Sequence, residues 1–303
     1  MTERHRLVRV PASSANLGPG YDVMAVALDL HLELEVKETG TFSVSCDALD
    51  VPLDRSNLVV RAFETLQPAD GISFRVGGEI PLARGMGSSA AAIVAGLVAA
   101  DHLFELGLER QDLLERATAL EGHPDNVAAA ICGGFVICTG GPRLTATVIE
   151  APEGLEGILV IPEVEVSTRK AREAIPEQIP IKDAVANTAS AAHLALGLAR
   201  GDSDLIGMGL HDRLHQERRR HLFPKSMEIV EVAGEKGANA VVFVRDVSTM
   251  AAAGDRDPDS AWHKRSSLVY KAVRLPDPPV PVSSFPPPNP ACSGLRFASL
   301  ARR

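Results

Sequence analysis

Polar and apolar residues alternate most cleanly over His31–Val36, where Leu32, Leu34 and Val36 share one face, the two-residue period of a half-buried strand. Leu7–Val10 has the same character. The run Pro11-Ala-Ser-Ser-Ala-Asn16-Leu-Gly-Pro-Gly20 between them has the glycine, proline and serine content of a loop. The spacing of Leu58, Ala62 and Leu66 predicts a helix over Asn57–Leu66, with Ser56 as its N-cap. Ile72–Val76 reads as a strand, Ser88–Leu106 as a long alanine-rich helix, Gln111–Leu120 as a second helix and Asn126–Ile131 as a short third. Leu144–Ile149 and Gly157–Ile161 return to strand. Beyond Pro162 the texture turns helical, over Ser167–Ile175, Lys182–Leu198, Ser203–Leu214 and Ser226–Lys236. A boundary near residue 150 therefore divides a strand-rich N-terminal domain, 1–150, from a helix-rich C-terminal one, 151–250. The tail, 251–303, is rich in aspartate, serine and proline. Eight of the chain's 21 prolines fall between Pro276 and Pro290, and with no amphipathic period there the tail is expected to be disordered or extended.

Composition narrows the class without naming a chemistry. The 303 residues are enough for a large buried core. A net charge of −8 argues against nucleic acid or an anionic membrane as the main partner. No apolar run approaches the ~18 residues of a membrane span. Cys46, Cys132, Cys138 and Cys292 lack metal-site spacing and read as reduced thiols of a cytoplasmic protein.

Three stretches carry candidate chemistry. Pro81-Leu-Ala-Arg-Gly-Met-Gly-Ser-Ser-Ala-Ala91 lies between a strand and the long helix. Gly85 and Gly87 let backbone approach a ligand closely, and Ser88 and Ser89 open a helix whose N–H groups and dipole favour an anion. A hydroxyl there can also ligate a divalent cation. The same spacing fits an ordinary glycine loop before a serine-capped helix. In the loop after the first strand, Asn16 and Asp22 offer an amide and a carboxylate suited to an ammonium and a hydroxyl, or to closing an Asx turn. Glu115 and Glu121-Gly-His-Pro-Asp-Asn-Val-Ala128 gather metal- and proton-handling groups, although a lone histidine near a helix start is often structural. Farther on, Thr168 and Arg172 stand one helical turn apart, and Asp212–Pro224 is strongly basic, which in isolation describes a solvated face.

Pro81–Ala91 resembles the P-x-x-x-G-L-G-S-S-A-A phosphate loop of GHMP kinases, with Met86 for the usual leucine, and it lacks the Gly-Lys-Ser/Thr of a Walker loop. Val8–Asp22 and Glu121–Ala128, followed by Gly133-Gly134-Phe135, are similar to motifs of the homoserine kinases within that family. The resemblance runs over about residues 5 to 240, with the motifs in order. It implies an α+β protein with a ribosomal-protein-S5-like N-terminal domain, a ferredoxin-like C-terminal domain and a cleft between them. It implies phosphoryl transfer from ATP to L-homoserine, with Mg²⁺, in threonine biosynthesis, and a homodimer is compatible with it. The nucleotide would be held by Asn57 and by Pro81, Leu82, Ala83, Arg84, Gly85, Met86, Gly87, Ser88, Ser89, Ala90 and Ala91. Ser89 and Glu115 would hold the metal, with Glu121 as a rival to Glu115. Asn16, Asp22, His123, Thr168, Arg172 and Arg219 would hold the substrate, the arginines clamping its carboxylate. Asp125 stands where some relatives place a catalytic base.

One family feature is missing. The expected C-terminal Leu-Ser-Gly-x-Gly-Pro-Thr turn is replaced by Phe243-Val-Arg-Asp-Val-Ser-Thr249. Codons for that stretch can be chosen so that the frame one base later reads Leu-Ser-Gly-Thr-Ser-Pro. A change of reading frame would thus account for the tail, and a divergent native tail is the alternative. Other functional readings are a GHMP kinase acting on shikimate or a mevalonate intermediate, and a catalytically impaired nucleotide-binding relative.

Overall fold

The structure, a computed structural model, describes residues 4–46, 50–140, 143–152, 156–162, 168–224, 226–228, 240–244, 247–252, 263–265, 268–274 and 296–298. A long antiparallel hairpin forms its spine: β1 (His5–Ala15) and β2 (Met24–Glu38), with a register shift between Pro11 and Ala12. β1 thus takes in Pro11–Ala15, which the sequence placed in a loop. The bulge accommodates a proline that cannot donate to the ladder, and Ser13 and Ser14 are fully buried, hiding any alternation. β2 joins β4 (Ile72–Gly78), which pairs in parallel with β3 (Ser43–Cys46). At the start of β2, β5 (Phe135–Thr139) adds on and carries β6 (Thr145–Ile149). β3 and β5 were not anticipated, β5 because it follows directly on Gly133-Gly134.

One face of this sheet is covered by helices. α2 (Ser88–Phe104) is apolar nearly all round and packs against α1 (Leu58–Glu64), α3 (Arg110–Glu121), α4 (Asp125–Cys132), β1 and β2, as a central buried helix must. At Gly96 a Cβ would lie 2.2 Å from the Val59 carbonyl oxygen, so only glycine admits α1 this closely. The cap of α1 is Asn57, not Ser56: its Oδ1 accepts from the Val59 N–H at 3.0 Å.

The second sheet is built on β7 (Glu156–Pro162), which pairs with β9 (Val247–Ala252) and β11 (Leu268–Arg274). β8 (Ala240–Val244) and β10 (His263–Arg265) lie outside these. Between β7 and β8 in sequence come α5 (Thr168–Glu173), α6 (Ile181–Arg200), α7 (Ser203–Gly209) and α8 (Gln216–Arg219). The helix expected over Ser203–Leu214 thus ends at Gly209, and Asp212 caps a new turn. The helix expected over Ser226–Lys236 falls, from residue 229, outside the described residues. Within the tail expected to lack regular structure, the described pieces are strands. β11 pairs along the full length of β7, and β12 (Arg296–Ala298) adds to β1. Leu268-Val-Tyr-Lys-Ala-Val-Arg274 carries the apolar content that pairing needs; the proline-rich run 275–295 lies outside the described residues.

Candidate active site

The loop from Pro81 to Gly87 rests on β1. Ser13 N–H donates to the Met86 carbonyl at 3.1 Å, and Ser13 Oγ donates to Asn126 Oδ1 at 2.9 Å. Gly87, at φ +64°, is the N-cap of α2, and no side chain caps the helix there. A Cβ at Gly87 would fall 2.1 Å from Ser13 Oγ, so β1, α4 and the start of α2 meet at a point only glycine can occupy. Met86 is fully buried and anchors the loop in the core. With no side chain capping it, the start of α2 leaves its first backbone N–H groups as donors.

Beside it, Ser89 Oγ donates to Glu121 Oε1 at 2.6 Å. Glu115 lies elsewhere, exposed on α3 with Oε1 accepting from Gln111 Nε2 at 2.7 Å. This corrects the pairing of Ser89 with Glu115. The buried stripe of α3 is Leu113, Leu114 and Ala117; Glu121, one turn beyond Ala117, continues it, while Glu115 points away. Asn57 is also engaged otherwise than expected. It is buried, caps α1 and donates Nδ2 to the Pro52 carbonyl at 2.7 Å, so its amide serves its own loop.

Asp125 is fully buried at the start of α4. Its Oδ1 accepts from Asn126 N–H and meets His123 Nδ1 at 2.9 Å, whereas its Oδ2 has no hydrogen-bond partner among the described residues. That bond to Asp125 lifts the His123 imidazole above its ordinary range, against the pull of burial. The charges of Glu121 and Arg172 both reach His123, the first raising and the second lowering its pKa.

A second cluster gathers the predicted substrate residues. In the β1–β2 loop, Asn16 and Asp22 adopt positive φ, and Asn16 Oδ1 accepts from Asp22 N–H at 2.9 Å, a bond that closes the loop across six residues in place of the two-residue span of an Asx turn. Arg172 of α5 grips Asp22 with two bonds, 2.7 and 2.9 Å, and donates to Tyr21 Oη at 3.1 Å. The bond to Asp22 raises the Arg172 guanidinium above its ordinary range. Arg219 is buried and donates Nε to the Ala171 carbonyl at 2.8 Å. Thr168 opens α5, one turn from Arg172; its side chain lies outside the described residues.

Sequence reasoning missed Ser13, Tyr21, Asn126, Asp212 and His215. The run from Asp212 to Pro224 is solvated on one side only, with Arg213, Glu217 and Arg220 exposed: Asp212 accepts from the N–H groups of Leu214, His215 and Gln216, and His215 is fully buried with Nε2 on the Gly18 carbonyl at 2.7 Å. The Asp-x-x-His spacing was the available signal, a cap followed by a buried ring. The three described cysteines carry no disulfide, and burial pushes the Cys138 thiol up to about 12.

A glycine loop feeding a buried helix, a hydroxyl–carboxylate pair beside it and a cluster of opposed charges are the parts that a small-molecule kinase of the GHMP class would use, and the relatives of this chain are of that class. Residues 57–134 match the family model of the GHMP kinases N terminal domain. A homoserine kinase of Thermus thermophilus is 40% identical over 257 residues, covering 82% of this chain and 88% of that protein. One from Symbiobacterium thermophilum is 42% identical over 239 residues, 72% and 73% of the respective chains. The crystal structure of homoserine kinase from Cytophaga hutchinsonii superposes with a TM-score of 0.73 at 29% identity, covering 84% of this chain and 87% of that one. The L. major mevalonate kinase, at 15% identity and a TM-score of 0.62, shares the fold. The chain belongs to the homoserine kinases of the GHMP kinase family.

Proposed function

We propose that this enzyme transfers the γ-phosphoryl group of ATP to the hydroxyl of L-homoserine, in the cleft between a domain of about residues 1–150 and the residues that follow. The observation that carries this reading is that His123, bonded to the buried Asp125, feels the charges of both Glu121, which holds Ser89, and Arg172, which holds Asp22. Phosphoryl transfer demands positioning and charge neutralisation above all. The α2 N-terminus would bind the phosphates, with Ser13 and Asn126 fixing the loop. Asp22 would take the substrate's ammonium and Arg172 and Arg219 its carboxylate, with Asn16 and Thr168 completing the pocket. The hydroxyl oxygen then attacks γ-phosphorus, the bond from γ-phosphorus to the bridging β-phosphate oxygen breaks to release ADP, and the hydroxyl proton passes to water.

Ser89 and Glu121 supply hard oxygen donors of the kind Mg²⁺ takes, and among the described residues no cluster of three or more acidic, histidine or cysteine side chains competes for a metal. Two protein donors suit an ion whose other ligands are phosphate oxygens and water. When bound, the ion neutralises charge developing on the transferred group.

The test is purified protein with Mg-ATP, assayed for ADP release on L-homoserine, L-threonine, L-serine, shikimate and mevalonate. Homoserine is the preferred acceptor; faster turnover of shikimate or mevalonate sinks the substrate reading and leaves the family. Ser89→Ala and Glu121→Gln each lower kcat by roughly 10²–10³-fold, while Glu115→Gln stays close to the parent. The reverse order between the two glutamates returns the metal role to Glu115.

A further inference from the structure

Tyr21 touches both arginines of the charged cluster and the histidine behind them. Its hydroxyl accepts from Arg172 Nη1 at 3.1 Å, and the Arg172 Cζ lies 5.6 Å from the ring centroid. The Arg219 Cζ lies 5.1 Å from the same centroid. The His215 ring packs against it at 5.5 Å, tilted by 36°. Two guanidiniums that repel each other thus share one aromatic ring, whose negative π density attracts both.

The ring is itself held firmly. Asn16 Oδ1 fixes the backbone of Asp22, Asn187 of α6 donates to the Pro19 carbonyl at 2.9 Å, and His215 meets the Gly18 carbonyl. A carbonyl only accepts, so His215 Nε2 carries the proton and Nδ1 is left to accept from Arg219 Nη1, 3.3 Å away. Burial holds the His215 imidazole below its ordinary range, which favours that neutral form. Burial, with Asp22 adding to it, raises the Tyr21 phenol above its ordinary range. A guanidinium recognises a carboxylate through a planar fork, so the plane in which it is held decides whether both N–H groups reach.

We infer that Tyr21 is a positioning residue that sets the planes of Arg172 and Arg219, so that the two arginines read the carboxylate of the substrate. This rests on the amino-acid substrate proposed above. Tyr21 need not touch the reacting atoms; it acts through the arginines, with His215 bracing the far one. The ring carries the effect and the hydroxyl refines it.

The experiment compares L-homoserine with 3-aminopropan-1-ol, which keeps the amine and the alcohol and lacks the carboxylate. Tyr21→Leu raises the homoserine KM by roughly 10- to 30-fold, the loss of a desolvated cation–ring contact, with kcat and the ATP KM held within about 3-fold. The preference for homoserine over 3-aminopropan-1-ol, as a kcat/KM ratio, falls by a similar factor. Tyr21→Phe keeps the ring and retains most of that preference. Thermal unfolding followed by circular dichroism verifies that each variant is folded. Equal losses on both probes in Tyr21→Leu, or an ATP KM that moves in step, reduce Tyr21 to packing and overturn the inference. A loss in Tyr21→Phe as deep as in Tyr21→Leu overturns the assignment to the ring. Preference kept in Tyr21→Leu and lost in Arg219→Ala overturns Tyr21 alone and leaves the substrate reading standing. A parent enzyme that uses both probes alike removes the carboxylate site, and this inference with it.

Discussion

Gly87→Ala strikes the point where the phosphate loop, β1 and α4 converge, and its effect can be worked from the geometry. The backbone there has φ +64°, which costs an L-residue about 1–2 kcal/mol. The new Cβ would lie 2.1 Å from Ser13 Oγ and 3.1 Å from Asn126 Oδ1. Ser13 must then turn away, which leaves the buried Asn126 oxygen without its 2.9 Å partner, a further loss of about 1–3 kcal/mol. The expected destabilisation is about 2–5 kcal/mol, a large part of the ~5–15 kcal/mol of an ordinary domain but short of unfolding most of them. Urea denaturation followed by far-UV circular dichroism measures it, with the ATP KM rising alongside. Ser13→Ala breaks the same hydrogen bond, so the double variant loses about 1–2 kcal/mol less than the two single losses added. A Gly87→Ala protein within about 0.5 kcal/mol of the parent, or strictly additive effects in the double variant, would refute the close approach.

Two further outcomes follow from other parts of the molecule. His215 is buried with its pKa lowered, first by burial and then by Arg219, with Asp212 and Asp22 opposing. Its neutral form therefore contributes stability in full above about pH 6.5, the unfolded value, and loses it as pH falls through that value toward the lower folded one. His215→Gln accordingly shows a smaller drop in urea midpoint between pH 7.5 and 5.5 than the parent, and identical drops refute the assignment. A one-base change near codon 243 that places Leu-Ser-Gly-Thr-Ser-Pro after Val242 is expected to give a chain with greater thermal stability and turnover. If the corrected chain gains neither, the tail as written is native.

How much of this was legible in the sequence depended on whether a residue acts on its near neighbours in the chain. The glycine loop, α2 and α4 were plain, since loop, cap and apolar run lie side by side. β1 was cut short because Pro11-Ala-Ser-Ser-Ala15 is buried on both faces, where alternation carries no signal, and Ser13 finds its partners, Asn126 and Met86, far along the chain. Glu121 could have been preferred to Glu115 from helix phase, because it continues the Leu114–Ala117 stripe. Motif resemblance weighs residues by position alone and passed over that phase. Tyr21 had no such clue, and the Asp212-x-x-His215 spacing pointed to a capped turn without naming the ring's partner: Arg172 and Gly18 stand about 150 and 200 positions away, and only the folded chain brings them together.

The bidentate contact between Asp22 and Arg172 joins the β1–β2 loop to α5, with the two side chains 34% and 39% exposed. Each half of this pair offers what one half of a zwitterion would need. A ligand bearing only an acid, or only an amine, satisfies one partner and leaves the other with an unmatched charge in a cleft partly closed to water, which is unfavourable. A ligand bearing both takes the place of each partner for the other, and the net charge of the cleft is the same full as empty. On the substrate reading proposed above, the resting protein thus carries an internal mimic of its own ligand. Singly charged and neutral alcohols, abundant in any cell, meet a pocket already neutralised and have little with which to open it.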